Sequence, residues 1–244
     1  TPLVTTEAGS TASFTVVLDA KPTGNVTVSI TGDDSTEHQL SSSSLTFTPS
    51  NWNTAQTVTV TGVDDSLDDG DITTTITATA SNTGGYAGTE TATATLKTSD
   101  DDTAGITIDN NGTKDSSGNL LTKESGTTST FTVVLDNKPT GNVTVSITGD
   151  DSTEHQLSSS SLTFTPSNWN TAQTVTVTGV DDSLDDGDIT TTITATASNT
   201  GGYAGTETAT ATLKTSDDDS SGITIAQAST PLVTTEAGST ASFT

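Results

Sequence analysis

The 244-residue chain carries six lysines, no arginine and thirty-one acids, a formal charge of −25, with 28% hydrophobic residues and no cysteine. A nucleic-acid partner needs a basic face and is excluded, an anionic membrane surface is disfavoured for the same reason, and no disulfide or thiolate site exists. No apolar run approaches the roughly eighteen residues of a membrane span, so direct membrane insertion is not expected.

The chain is written twice. Lys21 to Asp102 and Lys138 to Asp219 are identical over eighty-two residues, and Phe14 of SFTVVLD matches Phe131 of TFTVVLD at an offset of 117. The opening TPLVTTEAGSTASFT, Thr1 to Thr15, returns at Thr230 to Thr244. The expected organisation is one repeat over 1–102 lacking its first strand, a second over 103–219, and the start of a third over 220–244. Such an array suits a spacer, a scaffold or a multivalent binder, in which each unit depends mainly on its neighbours.

In chain order the first unit offers short runs of period-two alternation: Ser13 to Asp19, Asn25 to Thr31, Ser44 to Thr48, Gln56 to Val63, Asp71 to Ser81 and Thr89 to Thr98. Phe14, Val16 and Leu18 share one face, as do Val26, Val28 and Ile30, while threonines and serines take the other. Turns fall at Lys21 to Gly24, Gly32 to Asp34 and Asn82 to Gly85, and no segment keeps a helical period. Short strands at regular spacing argue for an all-β chain of tandem antiparallel Ig-like sandwiches. Phe14, Phe47, Trp52, Tyr86 and their copies Phe131, Phe164, Trp169 and Tyr203 are expected in cores or corners. Beyond Asp102, Ala104 to Ile108 (AGITI) reads as the first strand of the next domain, matched by Ser221 to Ile225 (SGITI) after the second copy.

The acids are clustered. Glu7 precedes a strand, Asp33 and Asp34 lie in a turn, Asp64, Asp65, Asp68, Asp69 and Asp71 crowd into VDDSLDDGD, and Asp100, Asp101 and Asp102 close the domain. The second unit repeats them as Glu124, Asp150, Asp151, Asp181, Asp182, Asp185, Asp186, Asp188, Asp217, Asp218 and Asp219. Two carboxylates about 4 Å apart repel by roughly 4 kcal/mol at an effective dielectric of about 20. Oxygen-only ligands in flexible loops select a hard cation, and calcium over magnesium because calcium accepts irregular geometry. The plainer reading is a solvated acidic surface that keeps the chain soluble.

The glutamate before the second strand, the run LTFTPSNWNTAQTVTVTGVDD and the terminal DDD resemble the Calx-beta domain and, more closely, the tandem Ig-like repeats of giant bacterial surface adhesins of the RTX type. The resemblance covers essentially the whole chain. It implies calcium ligands at Glu7, Asp64, Asp65, Asp100, Asp101 and Asp102 and at their second-unit counterparts. The loop departs from the usual Calx-beta pattern in placing Asp68, Asp69 and Asp71 where glutamates are common. Adhesin repeats of this kind resemble extenders that stiffen with calcium and hold a distal ligand-binding region away from the cell.

The unduplicated Asp109 to Asn119 offers Asp109, Asn111 and Asp115 as a further ion site or, more plainly, a turn. His38 and His155 are one position in two copies, and without cysteine or a persuasive serine partner nucleophilic catalysis has little to build on, so no enzyme is expected. The expected role is a non-catalytic extender at a bacterial cell surface, with neighbouring repeats and calcium as partners. One alternative is a repeated module binding ice, glycan or cells, for which Thr73 to Ala80 and Thr91 to Leu96 would present hydroxyl rows. A third is strand exchange between chains through 221–244.

Overall fold

The computed structural model describes residues 2–226 and 231–244; Thr1 and residues 227–230, where the returning opening pattern starts, lie outside the described residues. Every named element among the described residues is a strand, and alternation is what builds them. β1 (Leu3–Thr6) and β2 (Thr11–Val16) precede β3 (Val26–Thr31), which buries Val26, Val28 and Ile30 and turns Thr27, Ser29 and Thr31 to water. There follow β4 (His38–Leu40), β5 (Ser44–Phe47), β6 (Gln56–Gly62), β7 (Ile72–Ala80) and β8 (Thr91–Ser99). They form a five-stranded sheet in the order β1-β8-β7-β3-β5 facing a three-stranded sheet β2-β6-β4. Val26, Phe47, Val58, Val60 and Leu96 are fully buried between them.

The second sandwich repeats this arrangement and adds one strand. It comprises β9 (Ile106–Asp109), β10 (Leu120–Lys123), β11 (Thr128–Leu135), β12 (Val143–Thr148), β13 (His155–Leu157), β14 (Ser161–Phe164), β15 (Gln173–Gly179), β16 (Ile189–Ala197) and β17 (Thr208–Ser216). The sheets run β10-β17-β16-β12-β14 and β13-β15-β11-β9, around a core that includes Phe131, Phe164, Leu120 and Leu213. A chain only 28% hydrophobic fills two cores because its apolar residues fall on inward positions and threonine covers the outer ones.

Two features depart from the sequence expectation. The ladders are antiparallel except for β1 on β8 and β10 on β17, which are parallel. Leu3–Thr6, Leu120–Lys123 and the three-residue β4 and β13 carry too little alternation to be expected from sequence. The carboxy-terminal residues differ more sharply: Ser221–Ile225 is not a strand, and Ile223 is 96% exposed. Residues 231–244, which repeat the sequence of β1 and most of β2, make no named strand. Ala226 and Thr244 exchange two backbone hydrogen bonds, at 2.8 and 3.0 Å.

Candidate metal centre

Four chain segments meet at one end of the first sandwich. The parallel register sets Thr6 opposite Ser99, and the Glu7 amide donates to the Ser99 carbonyl at 3.1 Å, so Glu7 stands beside the acids that leave β8. Pairing of His38 with Gly62, and donation from Val63 N–H to the Glu37 carbonyl at 2.9 Å, bring Glu37 to the loop that leaves β6. Gly62 is required at this crossing, because a Cβ there would lie 1.9 Å from the Thr6 carbonyl oxygen.

Carboxylate oxygens of Glu7, Asp100 and Asp102 lie within 4.8 Å of one another, and so do those of Glu7, Glu37 and Asp69. Glu7 is shared by the two groups. The second sandwich repeats them as Glu124, Asp217 and Asp219, and Glu124, Glu154 and Asp186. Ligands on opposite sides of a calcium ion stand at most about 5 Å apart, so both spacings suit that ion.

The burial is unusual for acids. Glu7 and Glu124 are 1% exposed, Glu37 4% and Glu154 5%. One oxygen of each, Oε2, has no hydrogen-bond partner, nor has Asp102 Oδ2. Buried carboxylates ordinarily find partners, and an unpaired buried charge is costly. The ion pairs among the described residues, Lys97 with Asp71 and Lys214 with Asp188 at 2.6 Å, lie outside both groups. Burial, then the charges of Asp100, Glu37, Asp65 and Asp69, push the Glu7 carboxyl up to about 8. Burial and the charges of Asp217, Glu154, Asp182 and Asp186 raise Glu124 to about 7. Glu37, Glu154, Asp102 and Asp219 are raised as well, each by burial first and neighbouring acids second. A divalent cation would relieve all of these together, and the donor set fits one.

The remaining predicted residues divide by what they touch. Asp65 Oδ1 accepts from Leu67 N–H at 2.7 Å, while its charge bears on Glu7, Glu37 and Asp69. Asp64 and Asp101 are exposed and lie outside both groups, close enough to raise Asp102. Asp68 Oδ2 accepts from Ala104 N–H at 2.8 Å, and Asp71 is held by Lys97. Asp100 accepts from Gly70 and Asp102 amides at 2.7 and 2.9 Å, which folds the terminal run back onto the loop. Asp33 stands apart: its Oδ1 caps Leu40 N–H at 2.8 Å.

The second copy follows closely. Asp182, Asp185 and Asp217 accept from Leu184, Ser221 and Gly187 amides, each at 2.7 Å, and Asp150 caps Leu157 at 2.8 Å. Asp181 and Asp218 are exposed and raise Asp219. Asp115 accepts from the Ser117 and Asn119 amides at 2.9 Å, the geometry of a turn. His38 is fully buried with Nε2 3.0 Å from the Gly32 carbonyl, packed beneath the loop.

Glu37 and Glu154 are the residues that sequence reasoning misses. Asp33 and Asp34 in the same turn draw attention first. The only signal is that Glu37 immediately precedes β4, whose pairing with Gly62 is a tertiary fact.

The same loop reaches the next sandwich. Lys138 N–H donates to the Ser66 carbonyl at 2.8 Å, and Leu67 and Asp68 line a small pocket with Ala104, Asn137 and Tyr203. Leu67 is half-buried there, whereas its copy Leu184 is 62% exposed. Tyr203 closes the contact, donating to the Asn137 carbonyl at 2.8 Å.

No protein-family model and no curated protein matches the chain. Among solved structures it is similar in coarse fold to CBD12 from CALX1.2, at 17% identity and TM-score 0.32 over 79% of this chain and 76% of that one. It is similar also to the calcium binding domain CBD12 of CALX1.1, at 16% identity and TM-score 0.30 over 80% and 76%. A third likeness is to mouse cadherin-23 EC22-24, at 13% identity and TM-score 0.35 over 88% of this chain and 63% of that one. The metal reading below rests on the carboxylates themselves.

Proposed function

We propose that the chain is a non-catalytic extender of a bacterial surface adhesin, a run of β-sandwiches stiffened by calcium at their ends, which holds a distal binding region away from the cell. The proposed boundaries are 1–102 and 103–219, with 220–244 opening a further repeat. One observation carries the reading: four buried glutamates, Glu7, Glu37, Glu124 and Glu154, each keep an unpartnered oxygen within a cluster of acids.

The proposed inner ligands are Glu7, Glu37, Asp69, Asp100 and Asp102 with their copies, and Asp64, Asp65 and Asp101 form an outer acidic rim. Calcium would supply the positive charge that these carboxylates lack. The chain's own residues do the rest. Asp69 meets Glu7 and Glu37, while the neighbouring Ser66, Leu67 and Asp68 touch the linker and the second sandwich. Fixing the loop from within therefore fixes the joint from without. Extracellular calcium modules bind at about 0.1 to 1 mM, so the joint would be rigid outside the cell.

Melting in calcium and in chelator tests this. At a hundredfold excess over Kd each site adds roughly 2.7 kcal/mol. Equal melting temperatures in calcium and chelator would exclude the metal role.

A further inference from the structure

We propose that Asn137 and Asp68 hold one ordered water between the two sandwiches, and that this water helps set the angle at which they meet. The inference goes beyond the calcium reading and does not depend on it.

Asn137 is 1% exposed, and neither Oδ1 nor Nδ2 of its side chain has a hydrogen-bond partner. No other side chain among the described residues leaves two buried polar atoms in this state. A carboxamide offers an acceptor oxygen and a nitrogen with two hydrogens to donate, and such groups ordinarily find partners when buried. The sandwich itself does not need the side chain. Ala20 stands at the matching position of the first unit, directly before the identical run that opens at Lys21 and Lys138. The backbone is held alike in both copies: the Tyr86 hydroxyl donates to the Ala20 carbonyl and the Tyr203 hydroxyl to the Asn137 carbonyl, each at 2.8 Å. The asparagine side chain therefore belongs to the joint.

The preceding sandwich supplies its cover. The Ser66 carbonyl accepts from the N–H of Lys138, the next residue after Asn137, at 2.8 Å, and Asp68 Oδ2 accepts from Ala104 N–H at 2.8 Å. These bonds bring Leu67 and Asp68 to a pocket of about 10 Å³ that Asn137, Thr140 and Tyr203 line from the second sandwich. That volume is about the least that admits one water, and far below what an organic ligand requires. The Asn137 carboxamide, the Asp68 carboxylate and the Thr140 hydroxyl give the pocket the polar partners that a buried water needs.

The two unpartnered atoms decide which species the pocket takes. A cation would satisfy Oδ1 and leave Nδ2 unpaired, while an anion would do the reverse and would meet the charge of Asp68. Water does both, accepting from Nδ2 and donating to Oδ1 and to the Asp68 carboxylate. A bridge of this kind is nearly as favourable as a direct hydrogen bond. Asp68 then holds the linker through Ala104 and the second sandwich through the water.

Water-selective NOE and ROE spectroscopy on the nitrogen-15-labelled full chain, in calcium and physiological salt, tests the inference on the parent, so that no variant needs to fold. The Asn137 side-chain amide is expected to show a cross peak to water with the sign of a water that tumbles with the protein. Two variants test the role in the joint: Asn137→Ala, the residue that the first copy uses, and Asn137→Leu, which fills the space without polar atoms. Each is expected to lower by one the number of long-lived waters counted by oxygen-17 relaxation dispersion. Each is also expected to speed interdomain motion in nitrogen-15 relaxation while leaving the chemical shifts of the two cores in place. An Asn137 amide with no long-lived water beside it overturns the proposal, as does an unchanged water count in both variants. Variants that lose the water and keep the interdomain motion of the parent overturn its role in setting the angle.

Discussion

Glu7 and Glu124 each bridge two acidic groups. Replacing both by glutamine keeps the shape and removes the charge that burial and neighbours oppose. In chelator at pH 8 the E7Q/E124Q chain is expected to melt higher than the parent, and in calcium lower, as differential scanning calorimetry would measure. Losing roughly 2.7 kcal/mol per site corresponds to about 10–20 °C for a domain of about 100 residues. Melting below the parent in chelator would mean that the glutamates stabilise the fold without an ion.

The raised carboxyls give a pH dependence with a definite sign. The folded value for Glu7, about 8, exceeds its ordinary 4.5, and Glu124 is raised to about 7. The folded state therefore binds more protons than the unfolded state between those values. That contribution to stability is fully present below about pH 4.5 and is lost as pH rises through 7 and then 8. Melting temperatures in chelator are expected to fall from pH 5 to pH 8, and the increment that calcium adds is expected to grow over the same window. Calcium binding near pH 7 should release protons, which calorimetry in buffers of different ionisation enthalpy detects. A chelated chain that gains stability across that window would contradict the proposed carboxylate chemistry.

At the scale of elements, the site depends on where strands cross. A Cβ at Gly62 or Gly179 would meet a carbonyl oxygen 1.9 Å away, on Thr6 or Lys123. Gly62→Ala is expected to cost about 2–4 kcal/mol and to weaken calcium binding by displacing the strand that carries Glu7, as denaturation and isothermal titration would report. Leu67 and Leu184 form an internal control, one against the next sandwich and one in water. Leu67→Asp is expected to loosen the joint, seen as faster interdomain motion in NMR relaxation, while Leu184→Asp should change nothing. Equal effects would sever the loop from the joint.

Alternation made the long strands legible in sequence, because Val26, Val28 and Ile30 announce a buried face without any partner being known. The acidic loop was legible for a similar reason, since crowded aspartates repel wherever they fold. What was not legible is pairing. Glu37 joins Glu7 only because His38 pairs with Gly62, and Glu7 meets Asp100 and Asp102 only through the parallel register of β1 on β8. Asp33, one turn away and chemically as suitable, caps a backbone amide instead.

For the molecule as a whole, the proposed extender role places stiffness in the joint. The linker is short, Asp68 and Ser66 tie it to both sandwiches, and the acids meet there. Without a cation the charges at this end oppose one another, and the joint is expected to sample many angles. With calcium the two sandwiches are expected to hold one angle. Small-angle scattering of the chain in calcium and in chelator tests this most directly. The account predicts a single elongated particle with a sharply defined maximum dimension in calcium, and a broader distribution of distances in chelator. Superimposable scattering curves in the two conditions would contradict it.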